Sequence, residues 1–179
     1  VITIARAEPS QSPIGGGAVI KLFGPNLIPG AGLACRFNTS IVDAWWLSSE
    51  SVSCIAPAAT STGPTALSLS YNGIDFSDPI AFEYVSRVEV KSIEPNYGQR
   101  YGGTMVAIQG SHMSPGNLFL CRFGATDVIG NVTNASYATC LSPMLMDDVS
   151  RKSVSFFISK DGGNTFSGSS INFTYTDMY

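Results

Sequence analysis

The sequence predicts an all-β chain built from two consecutive β-sandwiches. Three observations carry this: an internal repeat with a period of 86 residues, apolar side chains at every second position within each copy, and a cysteine pair that recurs at the same place in both. Length alone cannot choose, because 179 residues suit one large domain or two small ones.

The repeat aligns Gly17 with Gly103, Gly24 with Gly110, Pro29-Gly30 with Pro115-Gly116, and Cys35-Arg36-Phe37 with Cys121-Arg122-Phe123. Cys54 and Pro57 then fall on Cys140 and Pro143. Gap-free matching of several rare residue types marks a duplicated module, with domains expected at 1–85 and 86–179. After the second cysteine the register slips by about four residues, since Phe76-Ser77 meets Phe166-Ser167 and Phe82-x-Tyr84 meets Phe173-x-Tyr175. That places an insertion near Met144 to Lys152, in a longer surface loop.

Within each copy the strands follow in order. Ile20 and Leu22 alternate with Val19, Lys21 and Phe23; Val106 and Ile108 alternate with Met105, Ala107 and Gln109. Leu67, Leu69 and Tyr71 alternate with small or polar residues, as do Val154, Phe156 and Ile158 among serines, and the pattern closes with Phe82 and Tyr84, or Ile171, Phe173 and Tyr175. Each is a half-buried strand, and glycine, proline, asparagine and serine clusters such as Gly63-Pro64 and Asp161-Gly162-Gly163-Asn164 punctuate them. No apolar stretch at helical spacing exceeds two turns. Short strands in units of this size indicate two tandem immunoglobulin-like β-sandwich domains.

A module this small has one modest core, which the cysteines reinforce. Four cysteines allow three pairings, and the repeat singles out Cys35 with Cys54 and Cys121 with Cys140, each closing its own loop at the same spacing. A loop of about 20 residues contributes roughly 3 kcal/mol through chain entropy. The competing assignment is zinc, but no pair is spaced as a metal knuckle and the single histidine, His112, is a poor fourth ligand. Disulfides imply an oxidising compartment. Four acceptor sequons agree with it, at Asn38, Asn131, Asn134 and Asn172. Asn172 alternates with inward Ile171 and Phe173, so it faces solvent; Asn38 follows the buried Cys35-x-Phe37 strand closely and is the least favoured acceptor.

Charge excludes some functions. Charged residues make up only 13% of the chain, against the usual quarter or so, and ten basic against thirteen acidic residues give a net charge of −3 without a run of either sign. This is a poor footprint for nucleic acid. Apolar runs fall well short of the roughly 20 residues that cross a bilayer, so no membrane insertion is expected of this segment, and Val1 follows no basic and apolar leader, as in a mature or excised segment. N-linked glycans would account for the solubility of so weakly charged a surface.

The second copy carries Ile93-Glu94-Pro95, Gly102-Gly103-Thr104, Gly110, Cys121 to Gly124, Cys140 to Pro143 and Phe173-x-Tyr175; the first carries Glu8-Pro9, Gly16-Gly17-Ala18, Gly24, Cys35 to Phe37 and Cys54 to Pro57. Together these resemble the IPT/TIG (immunoglobulin-like, plexin, transcription factor) domain over almost the whole chain. The resemblance implies the fold far more than the function, and the cysteine pairs are similar to those of the extracellular branch. The basic loops through which the transcription-factor members bind DNA have no counterpart here.

Constellations for chemistry are sparse. Ser159-x-Asp161-x-Gly163-x-Thr165-Phe166 matches the Asp-box hairpin, a turn whose aspartate bonds its own backbone. Asp75 with Asp78, or Asp147 with Asp148, supplies too few oxygens for calcium. One histidine, cysteines expected to be oxidised, and scattered carboxylates form no nucleophile–base set, so no enzyme activity and no cofactor are expected. Trp45-Trp46 is different: on a strand one indole is buried and the other is an exposed contact, whereas in a loop over the sandwich edge both are buried. Val19, Phe23, Met105 and Phe157 are expected on outward faces, where apolar patches mark interfaces.

The junction Tyr84-Val85-Ser86-Arg87-Val88 has no glycine or proline spacer and suggests a stiff rod. The first function expected is a secreted or cell-surface fibre subunit that assembles with copies of itself. Its contacts would be Val1, Ile2 and Ile4 on an exchangeable first strand, Val1 to Ala5, together with Trp45 and Trp46. The alternatives are a stalk segment of a receptor ectodomain that binds protein or glycan, and an accessory region of a secreted polysaccharide-acting enzyme.

Overall fold

A computed structural model describes residues 1–116, 118–147, 150–168 and 171–177, and the chain divides into two units, Val1–Ser86 and Arg87–Tyr179, one residue beyond the boundary read from the sequence. The first unit contains β1 (Arg6–Glu8), β2 (Gln11–Pro13), β3 (Val19–Phe23), β4 (Ala34–Phe37), β5 (Ser40–Ser48), β6 (Ser51–Ile55), β7 (Gly63–Ser70) and β8 (Ile80–Val85). Their hydrogen-bonded order is β1-β3-β6-β5-β4-β7-β8-β2. One continuous ladder forms both layers because β5 changes partner midway: Ser40 to Asp43 pair with β4, and from Ala44 onward the strand pairs with β6. β2 runs parallel to β8, with Gln11 opposite Glu83 and Pro13 opposite Val85.

The second unit contains β9 (Glu89–Glu94), β10 (Tyr97–Gln99), β11 (Met105–Ser111), β12 (Leu120–Phe123), β13 (Thr126–Ile129), β14 (Asn131–Asn134), β15 (Tyr137–Leu141), β16 (Arg151–Ser159) and β17 (Ile171–Thr176). These form two sheets, β10-β17-β16-β12-β13 and β14-β15-β11-β9. The strand that is continuous as β5 in the first unit is divided here into β13 and β14, with Gly130 at the break.

Each core fills from the period-two residues. Ile20, Leu22, Val52, Leu67 and Leu69 are fully buried in the first unit; Val106, Ile108, Phe156, Ile158 and Phe173 are fully buried in the second. The closing Phe-x-Tyr pairs pack edge to face on the Cys-Arg-Phe phenylalanines: Phe37 lies 5.1 Å from Phe82, and Phe123 lies 5.1 Å from Phe173, between ring centroids. Gly24 and Gly110 matter for a shared reason. A Cβ at either would strike the carbonyl oxygen of Thr3 or Glu89, so the opening segment crosses the sheet only because these residues lack a side chain.

Strand register also refines the insertion. Phe37 faces Leu67 and Phe123 faces Phe156. Counted from the second cysteine, Phe156 lies 16 residues on and Leu67 only 13, so three residues enter the loop between β15 and β16. Ser159 to Phe166 is seven residues where Ser70 to Phe76 is six, so the fourth enters the hairpin turn instead.

Candidate interaction surfaces

The cysteines lie on strands of opposite layers, Cys35 on β4 with Cys54 on β6, and Cys121 on β12 with Cys140 on β15. Both pairs are bonded, with Cα atoms 6.5 Å apart, all four residues are buried, and no cysteine is free. Each bond therefore ties one layer to the other through the core, and no thiolate remains for zinc. His112 sits in a left-handed turn (φ 58), its carbonyl accepting a hydrogen bond from Lys160 Nζ.

The four sequon asparagines are all exposed. Asn38 occupies the tight turn between β4 and β5 in a left-handed conformation (φ 55), and its N–H donates to the Ala66 carbonyl. Asn131 and Asn134 lie on β14, which among the described residues pairs only with β15, and Asn134 Oδ1 accepts from the Ser136 N–H. Asn172 lies on β17 between partly buried Ile171 and buried Phe173.

Two expectations need correction. Val1 to Ala5 is not a strand, since β1 begins at Arg6. Ile4 is buried in the first core, Ile2 packs against it, and the Ala5 N–H donates to the Phe23 carbonyl. Val1, Thr3 and Ala5 are exposed, while Ile2 and Ile4 turn toward the core, so the segment packs on its own domain. The tryptophans do lie on a strand, but neither indole is buried: Trp45 is 42% exposed and Trp46 40%. β5 is an edge of its layer, so even Trp46, facing buried Val52, has no strand beyond it. A bulge between Trp46 and Ser48 disturbs the alternation, and Trp46 Nε1–H donates to the Leu27 carbonyl at 3.1 Å. Trp45 pairs with Ser53, which is nearly inaccessible. Val19 and Met105 are exposed, and Phe23 and Phe157 are half-buried. Phe23 carries Arg6 on its ring at 4.0 Å.

The Asp-box segment is a self-bonded turn. Ser159 Oγ accepts from the N–H groups of Asp161 and Gly163, and Asp161 Oδ1 accepts from the Thr165 N–H. Ser70 and Asn72 build the same device in the first unit. Below each turn an arginine stacks on the closing phenylalanine, Arg36 on Phe76 at 4.2 Å and Arg122 on Phe166 at 3.8 Å. Arg122 also makes a two-pronged contact with Asp127, which lowers the Asp127 pKa through the hydrogen bond and raises that of Arg122. Burial pushes the Tyr175 hydroxyl up to about 12.

Of the calcium candidates, Asp75 accepts from Asn72 Nδ2, Asp147 pairs with Lys152, and Asp148 lies outside the described residues. Among the described residues, no three His, Cys, Asp or Glu side chains are grouped to hold a metal ion, and no helix is long and apolar enough to cross a membrane.

Two sandwiches with layer-spanning disulfides, a cis Glu-Pro bond at Glu8-Pro9 and again at Glu94-Pro95, and a Phe-x-Tyr closing strand invite comparison with known domains. The IPT/TIG domain profile matches residues 3–84 and again 89–175. The chain belongs to the IPT/TIG family. Plexin-2 of Caenorhabditis briggsae is 28% identical over 174 residues, covering 84% of the chain, and Plexin-A2 of Homo sapiens is 23% identical over 151 residues, covering 82%. The chain spans only 9% and 8% of the lengths of these two plexins. The extracellular region of Plexin A4 superposes over 98% of this chain and 16% of its own with a TM-score of 0.68 at 22% identity, which shows a shared fold.

Proposed function

We propose that this IPT/TIG tandem is a non-enzymatic segment of a cell-surface receptor ectodomain, a spacer or contact module of plexin-like type. The observation that carries the reading is similarity to plexins along the length of the tandem, combined with a disulfide through the core of each domain. Such bonds suit an oxidising, extracellular setting. Carbohydrate on the exposed sequons would supply the solvation that so few charges do not.

This reading replaces the fibre. Strand exchange by Val1 to Ala5 would pull Ile4 out of a core, so the mechanism that made filament growth attractive has lost its free strand. Exposed Trp45 and Trp46 then serve a contact with a different molecule.

The test is topological. Antibody raised against the folded tandem should label intact cells of the source organism without permeabilisation, and the purified chain should stay monomeric in light scattering at high concentration. Labelling only after permeabilisation would overturn the receptor reading, and concentration-dependent growth would restore the fibre.

A further inference from the structure

We infer that the first domain carries a seat for the inner sugar of an N-linked glycan, attached at Asn38 and resting in the hollow beside it. The inference rests on the extracellular reading above and goes further, because it names the acceptor and the surface that holds the sugar. It also reverses the expectation that Asn38 is the weakest acceptor.

Position 38 is the first observation. It adopts a left-handed backbone (φ 55) that glycine takes most cheaply, and its counterpart in the second domain is Gly124 (φ 65). Asparagine is the side-chain-bearing residue best suited to such a turn, which explains its tolerance but not the Ser40 that completes a sequon. The asparagine is exposed at the tip of a hairpin.

The second observation is what surrounds it. A hollow of about 230 Å³ lies between this turn and the loop after β6, too small for the usual drug-sized ligand and suited to one monosaccharide. The hydroxyl-bearing residues Thr39, Ser40, Thr60, Ser61 and Thr62 line it, together with apolar Pro64. A pyranose has the matching character, hydroxyls around its edge and C–H groups on its face. Asn38 and Pro64 also border a second hollow, so the acceptor adjoins two concave surfaces.

The equivalent hollow of the second domain has another chemistry. The Ala59 N–H donates to the Ile14 carbonyl and the Leu145 N–H to the Arg100 carbonyl, which equates Ala58-Ala59-Thr60 with Met144-Leu145-Met146. Methionines and the Asp147–Lys152 pair line this hollow, and Gly124 offers no acceptor. Serine and threonine line the hollow where the chain supplies a sequon; methionines line it where the chain supplies none.

Attachment requires a lipid diphosphate-linked oligosaccharide from the secretory pathway. Asn38 Nδ2 displaces the diphosphate at the anomeric carbon: an N–C bond forms, a C–O bond breaks, the diphosphate leaves with the electron pair, and the amide proton passes to a base on the transferase.

The experiment uses the chain purified from its native source or secreted from eukaryotic cells. Glycopeptide mass spectrometry should find N-acetylhexosamine on Asn38. Trimming to a single N-acetylglucosamine should leave the melting temperature of the first domain unchanged. Ser40→Ala abolishes the sequon but keeps Asn38, and should lower that temperature by about 4 °C. Ser40→Thr preserves the sequon and should restore it. A bare Asn38 in a sample that carries sugar at Asn131 or Asn172 overturns the seat while leaving the receptor reading intact. So does an occupied Asn38 whose loss in Ser40→Ala does not change the melting temperature. A native chain with no carbohydrate at all overturns the seat and removes one support of the extracellular reading.

Discussion

The two domains share strand order, disulfide and aromatic closure, yet one position divides them: the first passes through Ala44 without a break, and the second stops at Gly130. The surroundings explain the difference. Ala44 N–H donates to the Leu33 carbonyl and Gly130 N–H to the Phe119 carbonyl, both at 3.0 Å, so the backbones are equivalent. Where the partner side chain is leucine, alanine fits; where it is phenylalanine, a Cβ at 130 would lie 2.7 Å from the Phe119 ring and 2.6 Å from Cys140 Sγ. Bulk has moved from one residue to its neighbour while the space around the disulfide stays filled. A duplicated fold thus tolerates change in coupled pairs, and single positions taken alone mislead.

The comparison breaks most readily at the disulfides. Replacing Cys35 and Cys54, or Cys121 and Cys140, by alanine should cost the affected domain about 3 kcal/mol, by nearly the same amount in each because both loops span 19 positions. Urea unfolding followed by domain-resolved hydrogen exchange measures it. Non-reducing peptide mapping should find no peptide that joins the two halves of the chain.

Next in size is the coupled pair. Gly130→Ala should destabilise the second domain by about 1–3 kcal/mol, and adding Phe119→Leu should recover most of that loss. Additive losses in the double mutant would refute the exchange of bulk. Trp46→Phe should cost the first domain about 1 kcal/mol through the lost bond to the Leu27 carbonyl, an effect visible as a lower urea midpoint for that domain alone. The smallest effect concerns pH. Asp127 faces Arg122 where Ile41 faces Arg36. The lowered Asp127 pKa stabilises the second domain above the unfolded aspartate value near 4, and that contribution is lost as the pH falls through the lower folded value. Thermal melts at pH 6 and pH 2.5 should therefore show Asp127→Ile to lower the melting temperature more at the higher pH than at the lower.

Much of this was legible in residue order. Alternation at Ile20, Leu22, Val106 and Ile108 names the core face directly, because a strand reverses its side chains at every step. The 86-residue repeat locates the family's motifs in both copies. Alternation does not reveal which strands are edges, since that depends on partners far along the chain. Hence the tryptophan that alternation turns inward remains as exposed as its neighbour, and the opening segment, apolar at alternate positions, proves to be a core lead-in crossing beneath Gly24. The break at Gly130 was equally hidden, because its cause is the ring of Phe119 eleven residues earlier.

Parallel pairing between β2 and β8 bears on how each domain carries load. Tension on a chain pulls its two ends apart, and two parallel strands near those ends slide past one another only if their hydrogen bonds yield together. In the first domain these include the bonds from Ile14 N–H to the Val85 carbonyl and from Glu83 N–H to the Ser10 carbonyl; β10 and β17 repeat the arrangement in the second. Force therefore meets the fold in shear. Were that clasp to slip, the cystine would still hold residues 35–54 as a closed loop, so a stretched domain could pay out only part of its length before meeting a covalent stop.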